Sequence, residues 1–461
     1  MEGLEITEEL SQVCFNVSRL DSNYFAHPDH VHINNILSEK QFIKLNDIVD
    51  YISSGHTPYK HDMISGDIAF ITVECVGDMQ LNKSKLKKIT TEQFNKEFIQ
   101  NRIIPESVVC TIKRRICKAY PFLLDSDNMA MNQDIAFLIP KPVIDSAYLA
   151  AYFNSKYGQM FADKLKTEQM NPYISVENLS QLPIYLATHI FQQEIRQLVI
   201  SAQNISQETE NLYSEAEDIL LNELGLNDWV PTNQSSTTKS FADFLGSGRL
   251  DAEYYQPKYD EIEKQIANYG GDNIDQLFEL KDKNFIPKND VQYKYIELSN
   301  IGGNGEITGC SYEYGSDLPS RARRKVNTGD VIVSSIEGSL QSCAVITEEY
   351  NNSLCSNGFY VLAPKMISAE TSLILFKSAP IQQLMKKVCS GTILTAMNKD
   401  EFVNIPIPII AEDIQQQITD KVQKSFELRA ESKRLLGLAK TAVEIAIEQG
   451  EQKALELLKQ N

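Results

Sequence analysis

Asn178-Leu179-Ser180-Gln181-Leu182-Pro183-Ile184, followed shortly by Phe191-Gln192-Gln193-Glu194-Ile195, is met again as Glu401-Phe402-Val403-Asn404-Ile405-Pro406-Ile407 and Ile414-Gln415-Gln416-Gln417-Ile418. The two prolines, the two glutamine-rich runs and the upstream runs Val108-Val109-Cys110-Thr111 and Val331-Ile332-Val333-Ser334 share one offset (406 − 183, 414 − 191 and 331 − 108 are all 223). One shift that aligns a proline turn, a helix start and an apolar strand marks a tandem duplication. Ser18-Arg19-Leu20-Asp21-Ser22-Asn23-Tyr24-Phe25 and Gly248-Arg249-Leu250-Asp251-Ala252-Glu253-Tyr254-Tyr255 add a further echo near the start of each copy.

Each copy opens with short β-branched runs bounded by turn signals, such as Ile68 to Val73, Ile135 to Ile139 before Pro140, and Phe359 to Leu362 before Ala363-Pro364. Ser146 to Lys156 and Ile381 to Val388 have helical spacing, so the domains are mixed. Each copy then closes on a proline-free stretch, 192–226 and 415–447. Ile195, Val199, Ala202, Ile205, Leu212, Ala216 and Ile219 in one, and Ile418, Val422, Phe426, Leu435, Ala439, Ala442 and Ala446 in the other, form narrow apolar stripes. A helix of roughly 34 residues runs about 50 Å and its stripe needs a partner. The other copy supplies one; two unrelated surface helices are the alternative. Pro231 to Thr238 reads as a linker.

The expected fold is α+β: two tandem mixed α/β domains separated by two long helices in an antiparallel coiled coil, with a pseudo-twofold internal repeat. The expected boundaries are an N-terminal arm over 1–40, a first mixed domain over 41–187, a central helix and linker over 188–235, a second mixed domain over 236–411 and a C-terminal helix over 412–461.

The chain has 461 residues, 42% of them hydrophobic, which is ample for several packed cores and excludes low-complexity disorder. No apolar run reaches the roughly 18 to 20 residues of a membrane span, and Met1-Glu2-Gly3-Leu4-Glu5 lacks the basic start of a signal peptide. The expected location is the cytoplasm. Eight scattered cysteines with no C-x-x-C pair suggest reduced thiols.

A formal net charge of -18 argues at first against nucleic acid. Divided by segment it argues less. Residues 1–40 carry two basic and seven acidic side chains, 188–240 carry two and eight, and 41–187 balance at sixteen each. Within the last, Lys83 to Lys118 holds ten basic residues against three acidic ones, and Arg321-Ala322-Arg323-Arg324-Lys325 is a second compact run. A basic run is usually a solvated face; two in a duplicated plan point toward DNA.

Catalytic motifs do not assemble. Asn171-Pro172-Tyr173 is a truncated amino-methyltransferase motif, and Phe244-Leu245-Gly246-Ser247-Gly248 matches a methionine-cradling F-x-G-x-G but follows a linker instead of a strand. His27, His30 and His32 have no cysteine nearby and read as a polar loop. Glu279-Leu280-Lys281 lacks the upstream Pro-Asp of a nuclease core, and Gly302-Gly303-Asn304-Gly305 lacks the Lys-Ser/Thr of a phosphate loop and reads as a turn.

Taken together, these residues resemble the specificity subunit of type I DNA restriction-modification systems. Ser53-Ser54-Gly55-His56-Thr57-Pro58 resembles a Gly-x-Thr-Pro loop near the start of that family's target recognition domains. Arg321 to Lys325 leading into Gly329-Asp330-Val331-Ile332-Val333-Ser334 is similar to its basic run, Gly-Asp and strand. Asn404 to Pro408 with Ile414 to Ile418 resembles its closing proline strand and helix start, and Arg249 to Tyr255 a recurrent opening. The likeness spans about 18–458. The second domain departs from it, carrying Ile286-Pro287-Lys288-Asn289-Asp290 where the Gly-x-Thr-Pro would stand.

The resemblance implies two target recognition domains that each read half of an asymmetric, split site on double-stranded DNA. It implies no catalysis by this chain and no cofactor held by it. Two modification subunits would hold S-adenosylmethionine and methylate adenine, and restriction subunits would use ATP and magnesium. Lysine and arginine hold phosphates, arginine also reads guanine, and asparagine or glutamine reads adenine. The candidate DNA-binding residues are His56, Thr57, Lys60, Lys85, Lys87, Lys88, Lys113, Arg114, Arg115, Arg321, Arg323, Arg324 and Lys325. The competing reading is a scaffold whose coiled helices mediate assembly and whose mixed domains bind protein or glycan.

Overall fold

The computed structural model describes residues 33, 35–37, 40–58, 66–98, 102–124, 128–167, 171–232, 234, 236–391 and 395–460. Ser18 to Phe25, His27, His30, His32 and Lys60 lie outside the described residues. The chain divides into two compact units, 1–206 with 430–461, and 207–429.

The first unit runs through β1 (Phe42–Lys44), β2 (Val49–Ser54), β3 (Ile68–Ile71), β4 (Lys87–Ile89), β5 (Val108–Thr111), β6 (Ala119–Pro121), β7 (Met129–Met131), β8 (Ile135–Pro140), α1 (Ser146–Asn154), α2 (Lys156–Leu165) and β9 (Pro183–Tyr185), ending on the first turns of α3 (His189–Glu223). Its main sheet is antiparallel in the order β2-β8-β5-β6. A smaller sheet follows the order β4-β3-β7, with β3 antiparallel to β4 and parallel to β7. Strand β5 is Val-Val-Cys-Thr and buried at every position, the pattern of a central strand covered on both faces.

The second unit takes up the end of α3 and continues through α4 (Pro257–Tyr269), β10 (Gly271–Asn273), β11 (Phe278–Leu280), β12 (Gln292–Ile296), β13 (Ser311–Tyr314), β14 (Ala322–Lys325), β15 (Val331–Ser334), β16 (Cys343–Val345), β17 (Leu354–Ser356), β18 (Phe359–Pro364), α5 (Ala369–Lys377), α6 (Ala379–Lys387), β19 (Pro406–Pro408) and the start of α7 (Glu412–Gln449). Its main sheet has the order β11-β18-β15-β16, the same plan with the same antiparallel ladders. Its second sheet, β13-β12-β17-β14, again sets one antiparallel pair (β12 with β13) beside one parallel pair (β12 with β17). The duplication read from spacing is therefore a duplication of topology. The architecture is α+β with long helices.

Small polar devices recur with it. The turn into the central strand needs a left-handed residue: Gly329 (φ 85°) supplies it before β15, and Glu106 (φ 62°) takes the matching place before β5. The Gln159 amide donates to the carbonyls of Cys117 (2.8 Å) and Phe153 (2.7 Å), and the Gln382 amide to those of Leu340 (3.1 Å) and Phe376 (2.6 Å). Each closes the junction between two consecutive helices, α1–α2 and α5–α6. Buried carbonyls are thereby satisfied in place.

Within the first unit, Phe191, Ile195, Val199 and Ala202 of α3 share a core with Leu435, Leu436, Ala439, Ala442 and Val443 of α7. The Ser432 hydroxyl donates to the Ala202 carbonyl (2.9 Å) and the Thr188 amide to Glu451 (2.9 Å), so the segments run in opposite directions. Alanines on one side admit close approach, and each large aliphatic buried contributes about 1.5–3 kcal/mol. Within the second unit, Tyr213, Ala216 and Leu220 of α3, with Leu224 just beyond its end, share a core with Ile418 and Val422 of α7. Helix α3 stops at Glu223 because Gly225 (φ 64°) takes the left-handed position that ends it. Among the described residues no helix is long and apolar enough to cross a membrane.

Candidate nucleic-acid interface

In the first unit the backbone gathers candidate residues around two short segments. The loop at Gly55 lies against β7 and the turn after it: Gly55 donates to the Ile135 carbonyl (2.9 Å) and His56 to that of Met131 (3.1 Å). A Cβ at Gly55 would sit 2.3 Å from the Asn132 carbonyl oxygen, so the loop requires glycine there. This leaves His56 exposed and Thr57 half-buried. The His56 ring meets Phe98 edge-on and its Nε2 lies 3.2 Å from Glu97. Lys113 reaches the same segment, its ammonium 2.6 Å from Asp134. Lys60 lies outside the described residues.

The second gathering point is the turn Val73–Cys75. Arg114, with φ 61°, lies 3.7 Å from Glu74 on this turn, and the Cys75 thiol donates to the Lys85 carbonyl (3.2 Å). Lys85 and Arg114 are both exposed, as is Arg115, which has no ion pair among the described residues. Lys87 and Lys88 project from β4, an edge strand. Lys118, by contrast, is committed: Asp78 takes its ammonium at 2.8 Å and that of Lys440 on α7 at 2.6 Å. Burial pushes the Asp78 carboxyl up, but the two ammonium groups outweigh it and hold the acid below its ordinary range.

In the second unit the basic run from Ala322 on becomes β14, the edge strand paired with β17, with Arg321 in the turn just before it. Its side chains differ in availability. Arg321 is exposed, 2.8 Å from Glu297. Arg323 is half-buried and donates to the Ser320 carbonyl (2.7 Å), with no carboxylate partner among the described residues. The Lys325 ammonium sits 5.6 Å from the centre of the Phe285 ring, a cation–π contact that leaves its charge open. Arg324 is only 15% exposed, with its guanidinium 2.6 Å from Asp282 and bonded to Asn284 (3.1 Å). The structure thus brings the first unit's candidates around two segments and strings the second unit's along one strand.

The weak motifs have structural work. Lys281 of Glu279-Leu280-Lys281 is tied to both Asp330 oxygens (2.7 and 2.9 Å), fixing the Gly-Asp turn before β15. Phe244 to Gly248 ends a short helix, and a Cβ at Gly246 or Gly248 would touch nothing, so neither glycine cradles a neighbour. Tyr173 pairs with Lys113 and Thr167 as backbone bridges. Among the described residues no cluster of three metal-ligating side chains occurs. Sequence reading passed over a set near the second unit's other edge, the exposed Gln292, Tyr312 and Tyr314 with the half-buried Lys294; the signal for it is Tyr-x-Tyr at strand spacing.

Residues 272–435 match the family model for the Type I restriction modification DNA specificity domain. Among solved structures the chain is similar to the S subunit of a type I restriction-modification system from M. genitalium (13% identity, TM-score 0.35, 91% of this chain and 95% of that one). It is similar also to the HsdS subunit from Thermoanaerobacter tengcongensis (11%, 0.28, 89% and 97%). A third is a chain from a structure concerned with assembly and conformational transition of the type I R-M system (14%, 0.30, 89% and 98%). No curated protein matches the chain.

The match to a DNA specificity domain falls on the second copy of the duplicated α+β frame. Over residues 272–435 the chain is thus similar to the DNA specificity domain of type I restriction modification.

Proposed function

We propose that this chain is the address of a type I restriction-modification complex. Two target recognition domains, 41–187 and 236–411, each read one half of a bipartite, asymmetric site on double-stranded DNA, and the long helices over 188–235 and 412–461 form the antiparallel coiled coil that spaces them. Two modification subunits carrying S-adenosylmethionine methylate adenine where this chain directs them, and restriction subunits cut using ATP and magnesium, all in the cytoplasm. The observation that carries the reading is one sheet plan used twice with different exposed side chains. A constant frame with variable surfaces suits a protein that must present two unlike half-sites. Exposed cations at Lys85, Lys87, Lys88, Arg114 and Arg115 in one unit, and at Arg321 and Lys325 in the other with the half-buried Arg323 beside them, supply phosphate contacts. Lys113 and Arg324 would have to leave Asp134 and Asp282 to do so. On the Gly55 loop His56 is exposed and Thr57 half-buried, and Lys60 follows them in sequence.

The test is an exchange of residues 41–187 for the corresponding domain of another specificity subunit, with adenine methylation mapped genome-wide in cells holding the modification subunits. A split motif with one half changed supports the reading. Change in both halves, or in neither, defeats it.

A further inference from the structure

The β12–β13 ribbon at the edge of the second unit's second sheet carries a face of one kind. Its ladder sets Lys294 opposite Tyr312 and Gln292 opposite Tyr314, and directly opposed residues project to the same side. Tyr312 and Tyr314 are 58% and 53% exposed, and Gln292 is exposed as well. Glu313, between the tyrosines, projects to the opposite side. The Lys294 ammonium lies 5.8 Å from the centre of the Tyr312 ring and 5.7 Å from that of Tyr350, and donates to the Glu349 carbonyl at 2.5 Å. Nothing in folding explains two large aromatic rings left half in water on one strand face.

The first unit has a counterpart. Ile71 pairs with Met131 in the parallel ladder as Ile296 pairs with Cys355, which equates Ala69 with Lys294 two residues earlier on each strand. Their antiparallel partners are Lys88 and Tyr312. The same edge position therefore carries an exposed ammonium in one unit, and an exposed phenol with an ammonium beneath it in the other.

We infer that Gln292, Lys294, Tyr312 and Tyr314 form a base-reading face that the second unit lays into the major groove of duplex DNA. This rests on the DNA-addressing role proposed above and names the residues that would set specificity there. A two-stranded antiparallel ribbon fits the major groove. The Gln292 amide has the donor and acceptor that match the N6 and N7 edge of adenine, and Lys294 can donate to guanine O6 or N7. The Tyr312 and Tyr314 rings pack against thymine methyl groups while their hydroxyls reach phosphate or base edges. The cations of β14, on the opposite edge of the same sheet, hold the backbone and fix register.

The test selects from a random duplex pool with the full chain at low salt and compares the enriched sequences for wild type, Gln292→Ala, Tyr312→Ala and Tyr314→Ala. These positions are exposed, and thermal unfolding confirms that each variant is folded. The expected result is a loss of discrimination, roughly tenfold, at one to three adjacent positions of one half-site, with the other half retained. Gln292→Ala relaxes a position that the wild type holds as adenine. Tyr312→Phe retains preference where the ring alone acts. Enrichment of an unchanged site by all the alanine variants overturns the inference and leaves the DNA-addressing role standing. A wild-type chain that enriches no sequence overturns both.

Discussion

Gln192 and Gln415 make the same three bonds, once in each copy. Gln192 Oε1 accepts the Asp145 amide at 2.6 Å while its Nε2 donates to the carbonyls of Ala187 (2.8 Å) and Val143 (3.3 Å). Gln415 Oε1 accepts the Ser368 amide at 2.7 Å while its Nε2 donates to those of Ile410 (2.9 Å) and Met366 (3.2 Å). One side chain near the start of a long helix thus ties the helix to the turn that caps a buried domain helix. The bonds satisfy backbone groups that the fold withdraws from water, which glutamate could not do because it lacks the donor.

Replacing either glutamine orphans those groups. Gln192→Ala, at a buried position, is expected to cost about 2–3 kcal/mol, and Gln415→Ala, at a half-buried one, about 1 kcal/mol. Urea unfolding of the full chain measures both. Equal, negligible costs would mean that water replaces the bonds and that the clamp does not couple helix to domain.

Asp78 links the domain to α7 through Lys118 and Lys440, and the sign of its pH effect follows from its lowered pKa. A carboxyl depressed in the folded state adds stability above the unfolded value near 4, and loses it as pH falls through the folded value. Asp78→Asn should destabilise the neutral protein by about 1 kcal/mol and flatten the fall in stability below about pH 4. Denaturation midpoints between pH 7 and pH 3 decide it: a parallel drop for wild type and variant would exclude Asp78 as a contributor.

The frame was legible because the duplication preserved spacing: Pro183 and Pro406, Gln192 and Gln415, Val108 and Val331 all keep one offset. Strand existence followed from β-branched runs such as Val331 to Ser334, whose burial on both faces leaves no alternation to read. The candidate interface was legible only as residue types. Lys118 and Arg115 look alike in sequence, yet one meets Asp78, forty positions upstream, and the other meets none among the described residues. Arg323 and Arg324 are neighbours, but strand geometry sends Arg324 to Asp282. Such pairings arise only when distant segments fold together. Tyr312 and Tyr314 escaped notice because basic composition was the guide, and aromatic residues carry no charge to count.

Gly55 gives a prediction that separates folding from binding. Gly55→Ala forces a Cβ onto the Asn132 carbonyl and displaces the loop carrying His56 and Thr57. A cost of about 1–3 kcal/mol is expected. If the loop lies on DNA, duplex affinity falls further than the stability loss explains at temperatures where the variant remains folded. Thermal unfolding and fluorescence anisotropy on one preparation give both numbers; intact affinity would remove the loop from the interface.

The sharpest contrast lies between arginines one residue apart. Arg323 has no carboxylate partner among the described residues, and Arg115 in the first unit has none either. Each is free to neutralise a phosphate, so Arg323→Ala and Arg115→Ala should each lower the slope of log affinity against log salt by about 0.9. Stability should stay within about 0.5 kcal/mol of wild type. Arg324→Ala should do the reverse. Its guanidinium neutralises Asp282 and bonds Asn284, so truncation leaves Asp282 with Lys399 alone and costs about 1–3 kcal/mol, with the salt slope unchanged where the variant is folded. Anisotropy titrations across a potassium chloride series, beside urea unfolding, assign each arginine to one behaviour. Lost binding at unchanged stability for Arg324→Ala would mean that it leaves Asp282 to touch DNA, because a guanidinium serving only the fold cannot be removed without cost to the fold.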